Sequence, residues 1–197
     1  MHPTSPLEQP KRRADAQRSV SAILDAAIAT LGERPHASME QIARAAGVSR
    51  QTVYAHYPSR EALARAVQER SLAETVAAMD AARLDDGPAA AALDRLVWAG
   101  WGTLERYPVL MDLRVELSPE EELALHRPIL ERLERLVRRG QRSGEFDRAL
   151  PAPWLLTSFL ALSHAAAEEV RAGRLTAERA LEALRASVLR VFGAQPD

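Results

Sequence analysis

The sequence contains no cysteine, and this absence excludes several classes of protein. Disulfide bonds, thiolate nucleophiles and cysteine-based zinc sites all need that residue. The chain also lacks a Gly-rich phosphate-binding loop and a Ser/His/Asp signature, so no motif in it favours an enzyme. We expect no catalytic residues, no cofactor and no metal site.

Long apolar runs are missing as well. No stretch approaches the roughly 18 consecutive apolar residues of a transmembrane helix. The first ten residues, MHPTSPLEQP, lack the apolar segment of a secretory signal. We therefore expect a cytoplasmic protein without a membrane partner.

Lysine is nearly absent, since arginine supplies all basic residues except Lys11. The net charge of −1 hides an uneven distribution. Residues 11–70 hold ten Lys/Arg against six Asp/Glu, whereas residues 71–197 hold 16 against 20. A basic N-terminal part followed by an acidic C-terminal part is typical of a polyanion-binding module joined to a part that does not bind nucleic acid.

Helical periodicity dominates what is present. An apolar stripe with the spacing of one helix face runs from Val20 to Leu31. No stretch shows the period-two alternation of a strand, so we predict an all-α fold of about nine helices. Their approximate ranges are 15–31, 39–46, 50–57, 60–83, 89–106, 108–116, 119–140, 153–172 and 176–192.

The sequence predicts three segments. Residues 1–13, with three prolines and the basic run 11–13, are expected to be a disordered arm. Residues 14–60 are expected to form a first helical domain and residues 61–197 a second one. The basic run is explained equally well as part of a solvated tail or as a contact to phosphate.

The helix-turn-helix prediction depends on caps and breaks. Ser38 and Gln41 form a capping box that starts one helix. Gly47 interrupts it, as a turn that needs a positive φ requires. Ser49 then caps a second short helix, which ends before Pro58 because the residue preceding proline avoids the α region.

The second short helix carries side chains that can contact DNA. Arg50 can pair with guanine and Gln51 with adenine, and Ser49 and Thr52 offer hydroxyl groups. The side chains of residues 54, 56 and 57 are expected to project from the helix end toward phosphates and thymine methyl groups. Spacing alone leaves open a helical hairpin whose polar face is merely solvated.

The segment IARAAGVSRQTVYAHYPSREAL resembles the signature of the TetR family of bacterial transcriptional regulators over about residues 18–65. Two positions depart from that signature. Arg60 stands where lysine is common, and either cation can hold a phosphate. Ala55 has too short a side chain to make a contact to DNA that a longer residue could make at this position.

The resemblance implies a homodimer that binds a palindromic double-stranded DNA operator. Residues 14–60 would be its helix-turn-helix DNA-binding domain, and residues 61–197 its helical ligand-binding and dimerisation domain. Arg50, Gln51 and Thr52 would approach base edges, and other side chains would clamp phosphates. The full set of expected DNA-contacting residues is Ser38, Ser49, Arg50, Gln51, Thr52, Tyr54, His56, Tyr57 and Arg60.

The last two predicted helices, at about 153–172 and 176–192, carry more apolar surface than one face can bury. We expect them to form a four-helix interface with a second copy, although a well-packed monomeric core also accounts for the pattern. Between the later helices we place a pocket for an unknown, largely apolar effector. Its candidate residues are Trp98, Trp101, Met111, Phe159 and His164. Core packing is the commoner explanation for the apolar ones, and a surface ion pair is the commoner one for His164.

The hypothesis is a ligand-responsive homodimeric repressor, and the sequence does not distinguish a repressor from an activator. The first alternative is a non-specific architectural DNA-binding protein without an effector, which predicts affinity that is insensitive to sequence and steeply dependent on salt. The second alternative is an enzyme that uses a helical cavity. Turnover of a substrate would be the observation that supports it.

Overall fold

The computed structural model describes residues 8–107 and 118–194, and within these ranges all regular structure is helical. The predicted all-α class is therefore confirmed. The short helix expected at about 108–116 and the candidate Met111 lie outside the described residues. Eight helices are present within the described ranges: α1 Glu8–Glu33, α2 Met39–Ala45, α3 Arg50–His56, α4 Arg60–Ala81, α5 Ala89–Arg106, α6 Pro119–Ser143, α7 Ala152–Arg171 and α8 Ala177–Phe192.

The first helix starts at Glu8, earlier than predicted. The expectation of disorder is wrong for residues 8–13, which are helical, while residues 1–7 lie outside the described part of the chain. Pro10 is compatible with this start because it lies in the first turn, where backbone N–H groups have no partner within the helix. Alanine, lysine and arginine, which follow it, favour helix formation.

The described residues fall into two compact units, one ending at Glu69 and the other starting at Arg70. The division lies inside α4, so the first unit includes residues beyond the predicted domain boundary at residue 60. In the first unit α1 packs on α2 and α2 packs on α3. Its core contains Ile23, Ile42 and Val53, which are fully buried.

In the second unit α8 packs against α5 and α7, and α6 packs against α5 and α7. One apolar cluster joins all four helices, with Leu93, Leu133, Leu155 and Phe192 almost completely buried. Each of these side chains comes from a different helix. The unit therefore has a single core rather than separate helix pairs.

Two arginines hold the connection between α4 and α5. Arg95 donates hydrogen bonds to the carbonyl oxygens of Ala82 (2.8 Å), Arg83 (2.9 Å) and Asp86 (2.8 Å). Arg139, on α6, donates to the carbonyls of residues 84 (2.6 Å) and 87 (2.5 Å). A guanidinium group can bridge several acceptors in this way because its N–H groups form a rigid fork.

The turn after α6 closes on the end of α8. Gly144 ends α6 in the left-handed region, with φ of 84°. The ring of Phe146 packs edge-on against that of Phe192, with 5.3 Å between the ring centroids. The backbone N–H of Asp147 donates to the carbonyl of Phe192 at 2.8 Å.

Gly140 is required by this packing. A Cβ atom added there would lie 2.1 Å from the buried ring of Phe146. We expect Gly140→Ala to lower the free energy of unfolding by about 1–3 kcal/mol, since the ring has to move within a filled core. Denaturant unfolding measures this loss. Gly100→Ala is the matched control, because a Cβ at that helical glycine meets nothing within 4 Å, and equal effects of the two substitutions would contradict this packing.

Glu145 caps α5 from a distant part of the chain. The residue preceding α5, Pro88, makes no side-chain cap hydrogen bond. Instead the backbone N–H of Ala90 donates to the Glu145 carboxylate at 3.0 Å, and the Ser143 hydroxyl lies 2.8 Å from its other oxygen. The Ala90 hydrogen bond is the main cause that lowers the pKa of Glu145 below its ordinary value of 4.5.

A lowered pKa means that ionised Glu145 stabilises the folded state above pH 4.5, and that this contribution is lost as the pH falls through the folded-state pKa. We expect Glu145→Ala to cost about 1 kcal/mol at neutral pH, as for other lost helix caps. The difference from the wild type should shrink in acid. Urea unfolding at several pH values tests this, with exposed Glu131→Ala as the control; a pH-independent difference would contradict the capping role.

Candidate nucleic-acid interface

The α2 helix begins with the predicted capping box. The side chain of Gln41 accepts from the Ser38 N–H at 2.7 Å, and the Ser38 hydroxyl accepts from the Gln41 N–H at 3.3 Å. After α2, Gly47 adopts a φ of 67°, as the predicted turn requires. Local residue chemistry thus sets where α2 starts and where the chain turns.

Ser49 starts α3 and bonds to Thr52. Its hydroxyl accepts from the Thr52 N–H at 3.0 Å, and the two hydroxyl oxygens lie 2.8 Å apart. Ser49 is therefore a helix cap whose hydroxyl group already forms hydrogen bonds with Thr52. Among the side chains expected to approach bases, Arg50 and Gln51 are exposed and Thr52 is half-buried.

The α3 helix has one buried face and one exposed face. Val53 is fully buried and Tyr57 is 9% exposed, whereas Tyr54 is 37% exposed. On the outer face the guanidinium carbon of Arg50 lies 5.3 Å from the centroid of the Tyr54 ring. This cation–π contact and the four-residue spacing hold Arg50 along the helix surface.

Tyr57 corrects the expectation that residues 54, 56 and 57 all project outward. Val53 and Tyr57 are four residues apart, so they share a helix face, and that face is the buried one. His56 is half-buried, with its ring centroid 6.4 Å from that of Tyr57. Only Tyr54 of the three is exposed.

Arg60 fastens the start of α4 to the loop between α1 and α2. Its guanidinium group donates to the backbone carbonyls of Pro35 and Ala37. Next to it, the Ser59 hydroxyl accepts from the Ala62 N–H at 3.1 Å and caps α4. Backbone and Ser59 hydrogen bonds lower the pKa of Glu61 in the first turn. Without DNA, the Arg60 guanidinium is thus engaged by carbonyls, an arrangement that no sequence signal for the residue indicated.

Two of the predicted pocket residues lie in one groove. Trp98 and Trp101 line an open groove of about 840 Å³. Phe159 is buried in the core of the second unit, and His164 is exposed on α7; neither lines the groove. The assignment of these two residues to a ligand pocket stays a prediction. The second wall comes from α8 and includes Leu181 and Leu189. The sequence pattern assigned this helix only to packing and dimerisation.

The described residues offer neither a metal-binding cluster nor a membrane-spanning helix. No group of three His, Asp or Glu side chains there could hold a metal ion. None of the described helices is long and apolar enough to cross a membrane.

Comparison with known proteins agrees with this geometry. A family model described as bacterial regulatory proteins, tetR family, matches residues 23–67. The HTH-type transcriptional repressor LfrR of Mycolicibacterium smegmatis is 34% identical over 159 residues, covering 80% of this chain and 82% of the relative.

Solved structures are similar over nearly the whole chain. The crystal structure of LfrR from Mycobacterium smegmatis in complex with proflavine is 30% identical, with a TM-score of 0.68 over 91% of this chain and 99% of that one. The regulator PfmR from Thermus thermophilus is 26% identical, with a TM-score of 0.71 over 89% of this chain and 96% of that one.

Substitution of Arg60 separates a structural role from contact with DNA. We expect Arg60→Gln to lower the stability of the first unit by about 1–3 kcal/mol, because two carbonyls lose a charged donor. Thermal unfolding followed by circular dichroism measures the loss, with Arg65→Gln on the exposed side of α4 as control. Unchanged stability with uniformly weaker DNA binding would instead assign Arg60 to phosphate contact.

Proposed function

Because the chain belongs to the TetR family of bacterial regulatory proteins, we propose that it is a homodimeric, ligand-responsive repressor that binds a near-palindromic DNA operator. It is a DNA-binding transcriptional regulator, and the α2–turn–α3 segment is its helix-turn-helix. The observation that supports the finer proposal most strongly is the outer face of α3, where Arg50, Gln51 and Tyr54 are exposed together.

Base recognition is assigned to the first turn of α3. A helix-turn-helix places the N-terminal residues of its second helix against base edges in the major groove. Arg50 would bind O6 and N7 of guanine, and Gln51 would bind N6 and N7 of adenine. Thr52, whose hydroxyl is shared with Ser49, would add a weaker contact. Ser38, Tyr54 and His56 would hold phosphates, as the family resemblance implies.

Dimerisation is assigned to α7 and α8. In the single chain several apolar side chains of α7 remain partly exposed, and Trp154 near its start is 57% exposed. Pairing these helices with those of a second copy would bury that surface through an isologous contact. The helix-turn-helix segments of the two copies would then bind successive major grooves about 34 Å apart.

Ligand response requires a path between the two units. The chain passes from one to the other inside α4, whose first residue is anchored to the α1–α2 loop. A molecule that binds better to the DNA-incompetent state would release the operator, and one that binds both states equally would not. The proflavine complex of LfrR supports a response of this kind to a small, largely apolar molecule. The protein would act in the cytoplasm, where the DNA is.

A mobility-shift experiment on the DNA upstream of the gene tests the recognition helix. We expect the double variant Arg50→Ala, Gln51→Ala to lose operator affinity about 10- to 100-fold per lost base contact while its non-specific binding is kept. The matched control is Arg44→Ala on α2, an exposed residue paired with Glu40 at 3.6 Å.

Removing the Arg44 charge should weaken operator and non-specific DNA equally. Full selectivity in the double variant would contradict the assignment of Arg50 and Gln51. A wild-type protein that binds all DNA alike, with a steep dependence on salt, would favour the architectural alternative.

A further inference from the structure

The second half of α4 buries little apolar surface. This half, residues 70–81, belongs to the second compact unit. Within it only Ser71 and Met79 are buried, whereas residues 60–69 bury three apolar side chains. Because apolar burial is also non-directional, it fixes the direction of the second half of α4 poorly.

Asp80 joins this half of α4 to α6 through a bidentate ion pair. Nε and Nη2 of Arg132 donate to the two carboxylate oxygens of Asp80 at 2.8 and 3.0 Å. Nη1 of Arg132 donates to the carbonyl of Pro128 at 2.9 Å, so the guanidinium group is oriented by its own helix. The Arg132 side chain is only 24% exposed. A bidentate pair with an oriented, mostly buried arginine holds two helices better than an ordinary surface ion pair does.

Glu74 joins the same half of α4 to the end of α5. One of its carboxylate oxygens lies 3.1 Å from Nε of Arg70, and the other lies 3.4 Å from Nε of Arg106 in the last turn of α5. Burial and the neighbouring Glu74 carboxylate raise the pKa of the Tyr107 hydroxyl to about 12, so this buried group keeps its proton. A single carboxylate therefore links two arginines, one from each helix.

The two carboxylates are far enough apart to set the direction of a helix. Six residues separate Glu74 from Asp80, which corresponds to about 9 Å along the axis. From Asp80 to Arg60, the first residue of α4, the axis rises about 30 Å. A change of about 5° in the direction of the helix at Asp80 would thus displace its first residue by about 2–3 Å.

We propose that Glu74 and Asp80 are positioning residues for operator recognition. Their ion pairs with Arg106 and Arg132 fix the direction of α4, and thereby the spacing at which the helix-turn-helix segments of two copies bind DNA. This inference rests on the dimeric repressor proposed above.

The DNA sets the scale on which this direction matters. One inserted base pair moves a half-site by about 3.4 Å and turns it by about 34° around the DNA axis. A displacement of about 2–3 Å at the start of α4 is comparable with that step. Loss of either ion pair would let the two copies fit more than one spacing, and their affinity for the best spacing would fall because more freedom is lost on binding.

Hydrogen exchange followed by mass spectrometry tests the ion pairs on the full-length protein without DNA. We expect Asp80→Asn and Arg132→Gln each to speed exchange in peptides from residues 70–81 about three- to tenfold, and the double variant to exchange no faster, because both substitutions remove one interaction. The control is the Glu134–Arg138 pair within α6, at 2.6 Å, whose loss should leave these peptides unchanged. Additive effects at Asp80 and Arg132, or an equal effect of the control, would overturn the role of the pair.

A second experiment measures operator affinity at two half-site spacings. The sequence that the wild-type protein selects from random DNA is prepared unchanged and with one base pair inserted at its centre. We expect the insertion to lower wild-type affinity at least about tenfold, because the two half-sites can no longer be bound together without distortion. In Glu74→Gln and in Asp80→Asn, affinity for the unchanged operator should fall about three- to tenfold, and the loss caused by the insertion should shrink by a similar factor.

Glu69→Gln is the matched control, because it removes an exposed carboxylate from the same helix. It should keep the wild-type preference for spacing. A general loss of stability would weaken binding to both operators alike and leave the effect of the insertion unchanged, and that result would overturn the positioning role. An equal effect of Glu69→Gln would also overturn it, since the charge of α4 alone would then account for the change.

The two experiments distinguish this inference from the proposed function. If the wild-type protein selects no sequence, the repressor fails and the positioning role fails with it, whatever hydrogen exchange shows for the ion pairs. If the operator is bound but exchange in residues 70–81 is unchanged in every variant, the repressor stands and the role of the ion pairs is overturned.

Discussion

The burial of Val53 and Tyr57 is the constraint on which the DNA-binding surface depends. A helix of seven residues is too short to be stable by itself, and the Ser49 cap fixes only where it starts. The two buried side chains, one turn apart, fix how α3 is rotated about its axis. Because they point into the core of the first unit, Arg50, Gln51 and Tyr54 are left on the outside. Without that burial the same residues would present no defined surface.

Arginine stabilises the fold in a way that lysine could not reproduce. Arg60, Arg95 and Arg139 each donate to two or more backbone carbonyls of a loop. These loops join helices and contain few apolar side chains, so packing alone would hold them poorly. A rigid guanidinium fork satisfies several acceptors at once, whereas an ammonium group is a single point of charge. These three guanidinium groups are therefore bound to the chain's own backbone and do not add to a polyanion-binding surface.

Local chemistry allowed much of the fold to be predicted, and long-range packing accounts for most of the errors. The capping box at Ser38 and the turn at Gly47 follow from residues a few positions apart, and the structure confirms them. The burial of Tyr57, the contacts of Arg60 and the pairing of α5 with α8 around a groove join distant segments. Periodicity shows that a helix has an apolar face, but it does not show which neighbour covers that face. For the same reason periodicity did not indicate that α8 lies beside Trp98 and Trp101.

The central claim is that two copies of this chain present the outer face of α3 to successive turns of DNA. Selection of bound sequences from random double-stranded DNA by the full-length protein, at physiological salt, tests it most directly. The account predicts enrichment of a near-palindrome whose half-sites are centred about one helical turn apart. Enrichment of a single asymmetric site, or of no sequence at all, would contradict it.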